Sequence, residues 1–240
     1  MNKAFCKKRV FLSFLLTGCL ILFNISCGLD TFYELNAPPD TIKKPDLGND
    51  DSENYFRFFS APLPDSTVPV TFLGTAVYYK IYKDVEKLKS DVNNLQALAD
   101  KEEYSYTAAE NLVKDYSSLR SSDYPNNEVL ISNQYPNKIV YIRLYDFTLY
   151  PAEIIIDNNK IGIPLRVNSG DGNKDFNFKA SNTDTLPASG EKDVNTTGSG
   201  SDDCWYVSLF AVAVANSLDY SSRMYSNILY LGAVKIPVQE

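Results

Sequence analysis

The sequence predicts a mainly β protein, an antiparallel β-sandwich with a helical insertion, and three observations carry that expectation. Short runs rich in Ile, Val and Tyr recur from Tyr55 onward, turn residues separate them, and one clear stretch has helical spacing. With 240 residues, 44% of them hydrophobic and 13% aromatic, the chain has material for one substantial core.

The β-type runs begin with Tyr55–Phe59, where aromatic residues alternate around Arg57. Thr75–Lys83 places Ala76, Tyr78, Lys80 and Tyr82 on one face and Val77, Tyr79 and Ile81 on the other. Glu128–Ser132, Lys138–Tyr145, Ile161–Val167, Tyr206–Ala215 and Asn227–Ile236 continue the style. Asn126-Asn127, Asp157-Asn158-Asn159 and Asp171-Gly172 supply turns between them. The helical stretch carries Val85, Leu88, Val92, Leu95 and Ala99 at spacings of three and four, with Asp84 placed to cap it. Tyr104–Tyr116 adds a shorter helix through Ala108, Leu112 and Tyr116. The insertion therefore spans about 84–117, inside a domain running from 55 to 240.

Along the run near the C-terminus, Trp205, Val207, Leu209, Ala211 and Ala213 share one face. Tyr206, Ser208, Phe210, Val212 and Val214 share the other. A face left in water would turn polar, and this one stays apolar. Something must cover it: the helix 85–99 in the first instance, a partner protein in the second.

The N-terminus reads as an export signal. Lys3, Lys7, Lys8 and Arg9 form a positive start, and Val10–Phe23 is an apolar run too short for a permanent span. The run ends in Asn24-Ile25-Ser26-Cys27, followed by Gly28-Leu29-Asp30. That ending resembles a lipobox, in the looser form of spirochaetal lipoproteins, and implies removal of residues 1–26 and acylation of Cys27. Leu16-Thr17-Gly18-Cys19 is a competing box, with Cys19 as the acylated residue. Either thiol would hold the protein to a membrane through covalent lipid, each buried methylene contributing about 0.8 kcal/mol. The expected address is the bacterial envelope, the outer membrane in preference to the inner. Residues 27–54 hold Pro38, Pro39, Pro45 and the acids Asp46, Asp50, Asp51 and Glu53. They read as an acylated terminus and a flexible tether with little to bury.

A second resemblance rests on two strands. Trp205-Tyr206-Val207-Ser208-Leu209-Phe210-Ala211-Val212-Ala213 is similar to the penultimate strand of fibronectin type III domains, and Tyr78-Tyr79-Lys80-Ile81-Tyr82 to their third strand. Trp205 stands where that family has tyrosine. The resemblance implies an immunoglobulin-like sandwich. The helical insertion and the long polar loop 168–203 are departures from it.

Composition excludes several functions. The net charge is −7, and loss of residues 1–26 removes four of the 23 cations and none of the 30 acids, leaving about −11. Such a surface repels phosphate backbones, so no nucleic-acid partner is expected. Without histidine the commonest general base and the imidazole metal ligands are missing. Of the four cysteines only Cys204 lies outside the signal region, where it reads as a small buried hydrophobe. No disulfide framework and no zinc site of the Cys/His type can be assembled from that set.

Asp171, Asn173 and Asp175 alternate as in a calcium loop, but Phe176 and Asn182 stand where glycine and glutamate belong, and a hairpin turn explains the same residues. The glycine-rich Thr197–Ser201 lacks the lysine and the strand–helix setting of a phosphate loop. No pair among the 30 acids is marked out for glycoside hydrolysis. The expectation is a non-enzymatic, lipid-anchored binding module without cofactor, metal or catalytic residues. Its partner would be a protein or a host ligand. The alternatives are an envelope-assembly component and, last, a carboxylate-based glycan hydrolase.

Overall fold

The computed structural model describes residues 34–101, 105–168, 172–218 and 222–240. In chain order its strands are β1 (Thr41–Lys43), β2 (Phe56–Phe59), β3 (Val70–Tyr82), β4 (Ser117–Ser118), β5 (Arg120–Ser121), β6 (Ile131–Ser132), β7 (Ile139–Arg143) and β8 (Glu153–Ile156). There follow β9 (Asn159–Lys160), β10 (Pro164–Asn168), β11 (Gly172–Lys174), β12 (Val194–Asn195), β13 (Cys204–Ser217), β14 (Arg223–Tyr225) and β15 (Leu229–Pro237). Two helices, α1 (Val85–Ala99) and α2 (Ser105–Asp115), lie between β3 and β4, where the spacing predicts them.

β13 is the axis of the larger sheet. It pairs antiparallel with β3 from Tyr206↔Tyr82 to Ser217↔Val70, and on its other side with β15 and then β14. β4 and β6 add to the outer edge of β3, and β12 joins that strand in parallel. The second sheet runs β1-β2-β7-β8-β9, antiparallel throughout. A small third sheet, β11-β10-β5, closes one side.

The two main sheets pack face to face. Phe56, Phe58, Val140, Ile142, Ile154 and Ile156 from one sheet meet Val77, Tyr79, Ile81, Val207, Leu209 and Val234 from the other in a single buried cluster. This is the sandwich that period-two alternation requires, since each strand carries one apolar face to bury. The outer face of β13 is equally apolar and equally buried. Phe210, Val212 and Val214 pack with Leu88, Val92 and Leu95 of α1 and Ala108 and Leu112 of α2. The helices thus form a third layer and cover this largely apolar face, Ser208 included.

Two irregularities let β13 keep both neighbours. The ladder with β15 shifts between Leu209 and Phe210, and the ladder with β3 shifts between Val214 and Ala215. At the second shift Gly74 has φ +135°, and a Cβ there would lie 2.0 Å from the carbonyl oxygen of Ile131 on β6. Only glycine admits that approach.

Several expectations need correction. Residues 34–54 are not an open tether. Leu35 is buried against Ala61, Phe72, Ala213 and Ala215, β1 pairs with β2, and Pro38 and Pro45 are buried. Arg143 completes the attachment by donating to the carbonyls of Asp51 and Ser52 at 2.9 and 2.7 Å. Proline and like charge oppose burial locally, but a few apolar side chains and a guanidinium seeking acceptors outweigh them. Residues 27–33 lie outside the described residues. The expected strand Glu128–Ser132 shrinks to β6, with Val129 and Leu130 buried but off the ladder. β8 has no counterpart among the predicted strands. It forms a hairpin with β9 through Asp157 and Asn158 at φ +49° and +66°, the positive-φ pair of a tight turn.

Candidate functional site

The two cysteines proposed for lipid attachment, Cys27 and Cys19, lie outside the described residues, as does Asp171 of the calcium-like run. What the structure brings together is a set of side chains that the sequence leaves scattered. They line two clefts where the helical layer meets the larger sheet.

The first cleft, of about 370 Å³, opens between α1 and α2. Its lining includes Lys80, Lys87, Asp91, Asn94, Asn111 and Asp115. Lys87 Nζ holds Asp91 Oδ1 at 2.5 Å, one helical turn away. Lys80 Nζ rests 5.4 Å from the ring centre of Tyr116 and 5.9 Å from that of Tyr82. The two hydroxyls of those tyrosines are hydrogen-bonded at 2.9 Å beneath it. Burial pushes the Tyr116 hydroxyl up to about 12, so both remain neutral. Asp91 and Asp115 are the two carboxylates of its lining, set beside the amides of Asn94 and Asn111 and the ammonium groups of Lys80 and Lys87.

The second cleft, of about 430 Å³, lies where α2 and β4 approach β14. Arg120, Lys192 and Arg223 supply three cations, and Glu128 the one carboxylate, paired to Arg223 at 3.0 Å. Tyr78 and Tyr116 form aromatic walls, and Val113 and Val167 apolar ones. Burial pushes Tyr78 up to about 12, so its hydroxyl stays protonated.

The polar segment 168–203 is anchored at several points. Phe176 and Phe178 are fully buried in the sandwich core. Arg166, wholly buried on β10, donates from Nε to Asp193 Oδ2 at 2.9 Å and from Nη2 to Glu191 Oε2 at 2.6 Å. Tyr79 Oη donates to Asp193 Oδ2 at 2.8 Å and accepts from the Val167 N–H at 3.0 Å. Burial pushes the Tyr79 hydroxyl well up, and the Asp193 charge beside it adds to the effect. Burial raises the Glu191 carboxyl too, but the Ala188 N–H and the Arg166 guanidinium outweigh it and hold the group below its ordinary 4.5. Lys174, within the calcium-like run, reaches Glu191 at 3.1 Å. β10 and β11 form the hairpin that the same run predicts as its alternative. Among the described residues no group of three acids or cysteines could hold a metal ion.

The glycine-rich Thr197–Ser201 surrounds an internal carboxylate. Ser199 N–H donates to Asp84 Oδ2 at 3.1 Å, while Asp84 Oδ1 accepts from Glu86 and Lys87 N–H at 2.8 and 3.0 Å. One aspartate thus caps α1 and fastens the loop. Cys204 is buried and unpaired at the start of β13. Arg120, Arg166 and Lys192 were not singled out from the sequence. An isolated cation between strand residues has no local signal, because its partners come from distant parts of the chain.

Set against known protein families, curated proteins and solved structures, the chain matches none.

Proposed function

We propose that the chain is an exported, lipid-anchored protein of the bacterial envelope. In this reading its sandwich is a non-enzymatic binding module held at the outer membrane through acylated Cys27, with Cys19 as the alternative. The observation that carries the proposal is the N-terminal order of charges, apolar run and Ser26-Cys27-Gly28. Two polar clefts beside the helical layer, one rich in amides and one in cations, support binding over catalysis. The fibronectin type III-like reading draws support from strand order: β3, β13 and β15 share one sheet with the penultimate strand in the middle.

The envelope-assembly alternative drew on the apolar outer face of β13 as a docking surface. The helices cover that face, which removes its motive. A glycan hydrolase would need a protonated acid in an apolar pocket, and neither cleft offers that setting.

Intact mass of the purified protein and protease treatment of whole cells test the proposal together. The expected mass is that of residues 27–240 plus acyl chains, with digestion of the domain on intact cells while a periplasmic marker survives. An unacylated N-terminus at both cysteines overturns the anchor. Protection until the outer membrane is permeabilised returns the assembly reading to first place.

A further inference from the structure

The cleft between α2, β4 and β14 is lined by a half-buried cation, Arg120. Nη1 of Arg120 is fully sheltered and has no hydrogen-bond partner among the described residues. Buried polar groups are paired in nearly all folded proteins, and an orphaned guanidinium N–H is among the costlier exceptions. The other sheltered, unpartnered guanidinium nitrogen, on Arg166, belongs to a side chain already neutralised by Asp193 and Glu191. Arg120 has no such carboxylate. Glu128, the acid of the cleft, is paired to Arg223 instead.

Charge sharpens the point. In a chain with 30 acids and 23 cations, this cleft gathers Arg120, Arg223 and Lys192 around one glutamate. The excess is two positive charges facing a space of about 430 Å³, within the usual range for small-molecule sites. Burial pulls the Arg120 guanidinium below its ordinary 12.5, against the nearby Tyr78 and Glu128. An acceptor arriving in the cleft would relieve that desolvation. The hydroxyl of Ser118 is a further donor on the wall, while that of Tyr78 donates to Tyr225.

We infer that this cleft binds a doubly charged oxyanion, either a phosphate monoester or a dicarboxylate, with Arg120 as its innermost ligand and Lys192 and Arg223 at the rim. A guanidinium fork suits either group, because both present paired oxygens to parallel N–H donors. Val113, Val167 and Tyr116 then offer apolar contact to the rest of the ligand. The inference deepens the binding-module reading and rests on it for its biological setting.

Calorimetric titration of the full chain in nonionic detergent at low salt tests it, with inorganic phosphate, succinate and acetate as probes. The expected result is saturable single-site binding of phosphate or of succinate, with acetate weaker by about tenfold or more. Arg120→Gln should weaken the bound dianion by about tenfold, since a hydrogen-bonded charge is lost. Lys192→Gln, a change at an exposed rim residue, should weaken it severalfold, and Lys80→Gln in the other cleft should leave it unchanged. Preference for phosphate over succinate assigns the phosphate ester, and the reverse assigns the dicarboxylate. No saturable binding of either dianion overturns the inference, as does binding that Arg120→Gln and Lys192→Gln both leave intact. If Arg120→Gln does not fold, Lys192→Gln combined with Arg223→Gln decides. The acylation and protease results stand apart from these titrations, so failure here leaves the anchor reading untouched.

Discussion

At the residue scale, the chain places its cations in three different relations to the interior. Arg143 is buried among carbonyls and aromatic rings. It donates to two carbonyls and to Tyr141 Oη at 3.0 Å, with the rings of Tyr150 and Tyr55 at 5.0 and 5.5 Å. Arg166 is fully desolvated and depends on Asp193 and Glu191. Arg120 is half-buried, with Nη1 sheltered and without a hydrogen-bond partner among the described residues. Removing the carboxylate beside Arg166 should be the costliest of the corresponding substitutions. Asp193→Ala leaves the buried Arg166 with Glu191 as its one carboxylate and also strips the Tyr79 hydroxyl of its acceptor. A loss of about 3–5 kcal/mol is expected in urea denaturation. Lys174→Gln, which removes a partly exposed ammonium from the same network, should cost within about 1 kcal/mol.

At the element scale, α1 and β13 depend on each other. The helix presents Leu88, Val92 and Leu95 at heptad-like spacing, and β13 presents Phe210, Val212 and Val214 to receive them. Leu88→Ala should destabilise the fold by about 2–5 kcal/mol in the same urea experiment, because the rigid sheet beneath cannot collapse into the space. A result within experimental error of zero would mean that the helix does not pack on β13 in solution. Both α1 boundaries and the Asp84 cap were legible in the sequence, since they depend on neighbours within one turn. β8 was not, and its residues show why. Ile154 and Ile156 face the core, but Ile155 on the open side is equally apolar, so the alternation that marks a half-buried strand is hidden. The parallel pairing of β12 with β3 had no local signal at all.

At the scale of the whole molecule, residues 34–54 behave as part of the domain. Leu47 packs beside the helical layer, and Pro45 lies against Gly232, where a Cβ would come within 2.9 Å of it. A chain beginning at Tyr55 would lose β1, the burial of Leu35 and the carbonyls that receive Arg143. Compared with a chain beginning at Glu34, it should be less stable by at least about 3 kcal/mol. Equal urea midpoints for the two chains would restore the tether reading for this segment.

Local order determined what the sequence alone could decide. Period-two runs, helical spacing with a cap and turn residues all act within a few residues, so the mainly β class and the helical insertion were readable from them. Tertiary structure decided the rest. It put α1 over β13, packed residues 34–54 against the sandwich, and turned the polar segment after β10 into the partner of Arg166. It also gathered Arg120, Lys192 and Arg223 around one cleft. Each of these depends on groups far apart in the chain whose burial is favourable only jointly: a guanidinium enters the interior when its carboxylates come with it, and an apolar strand face persists when a helix arrives to cover it.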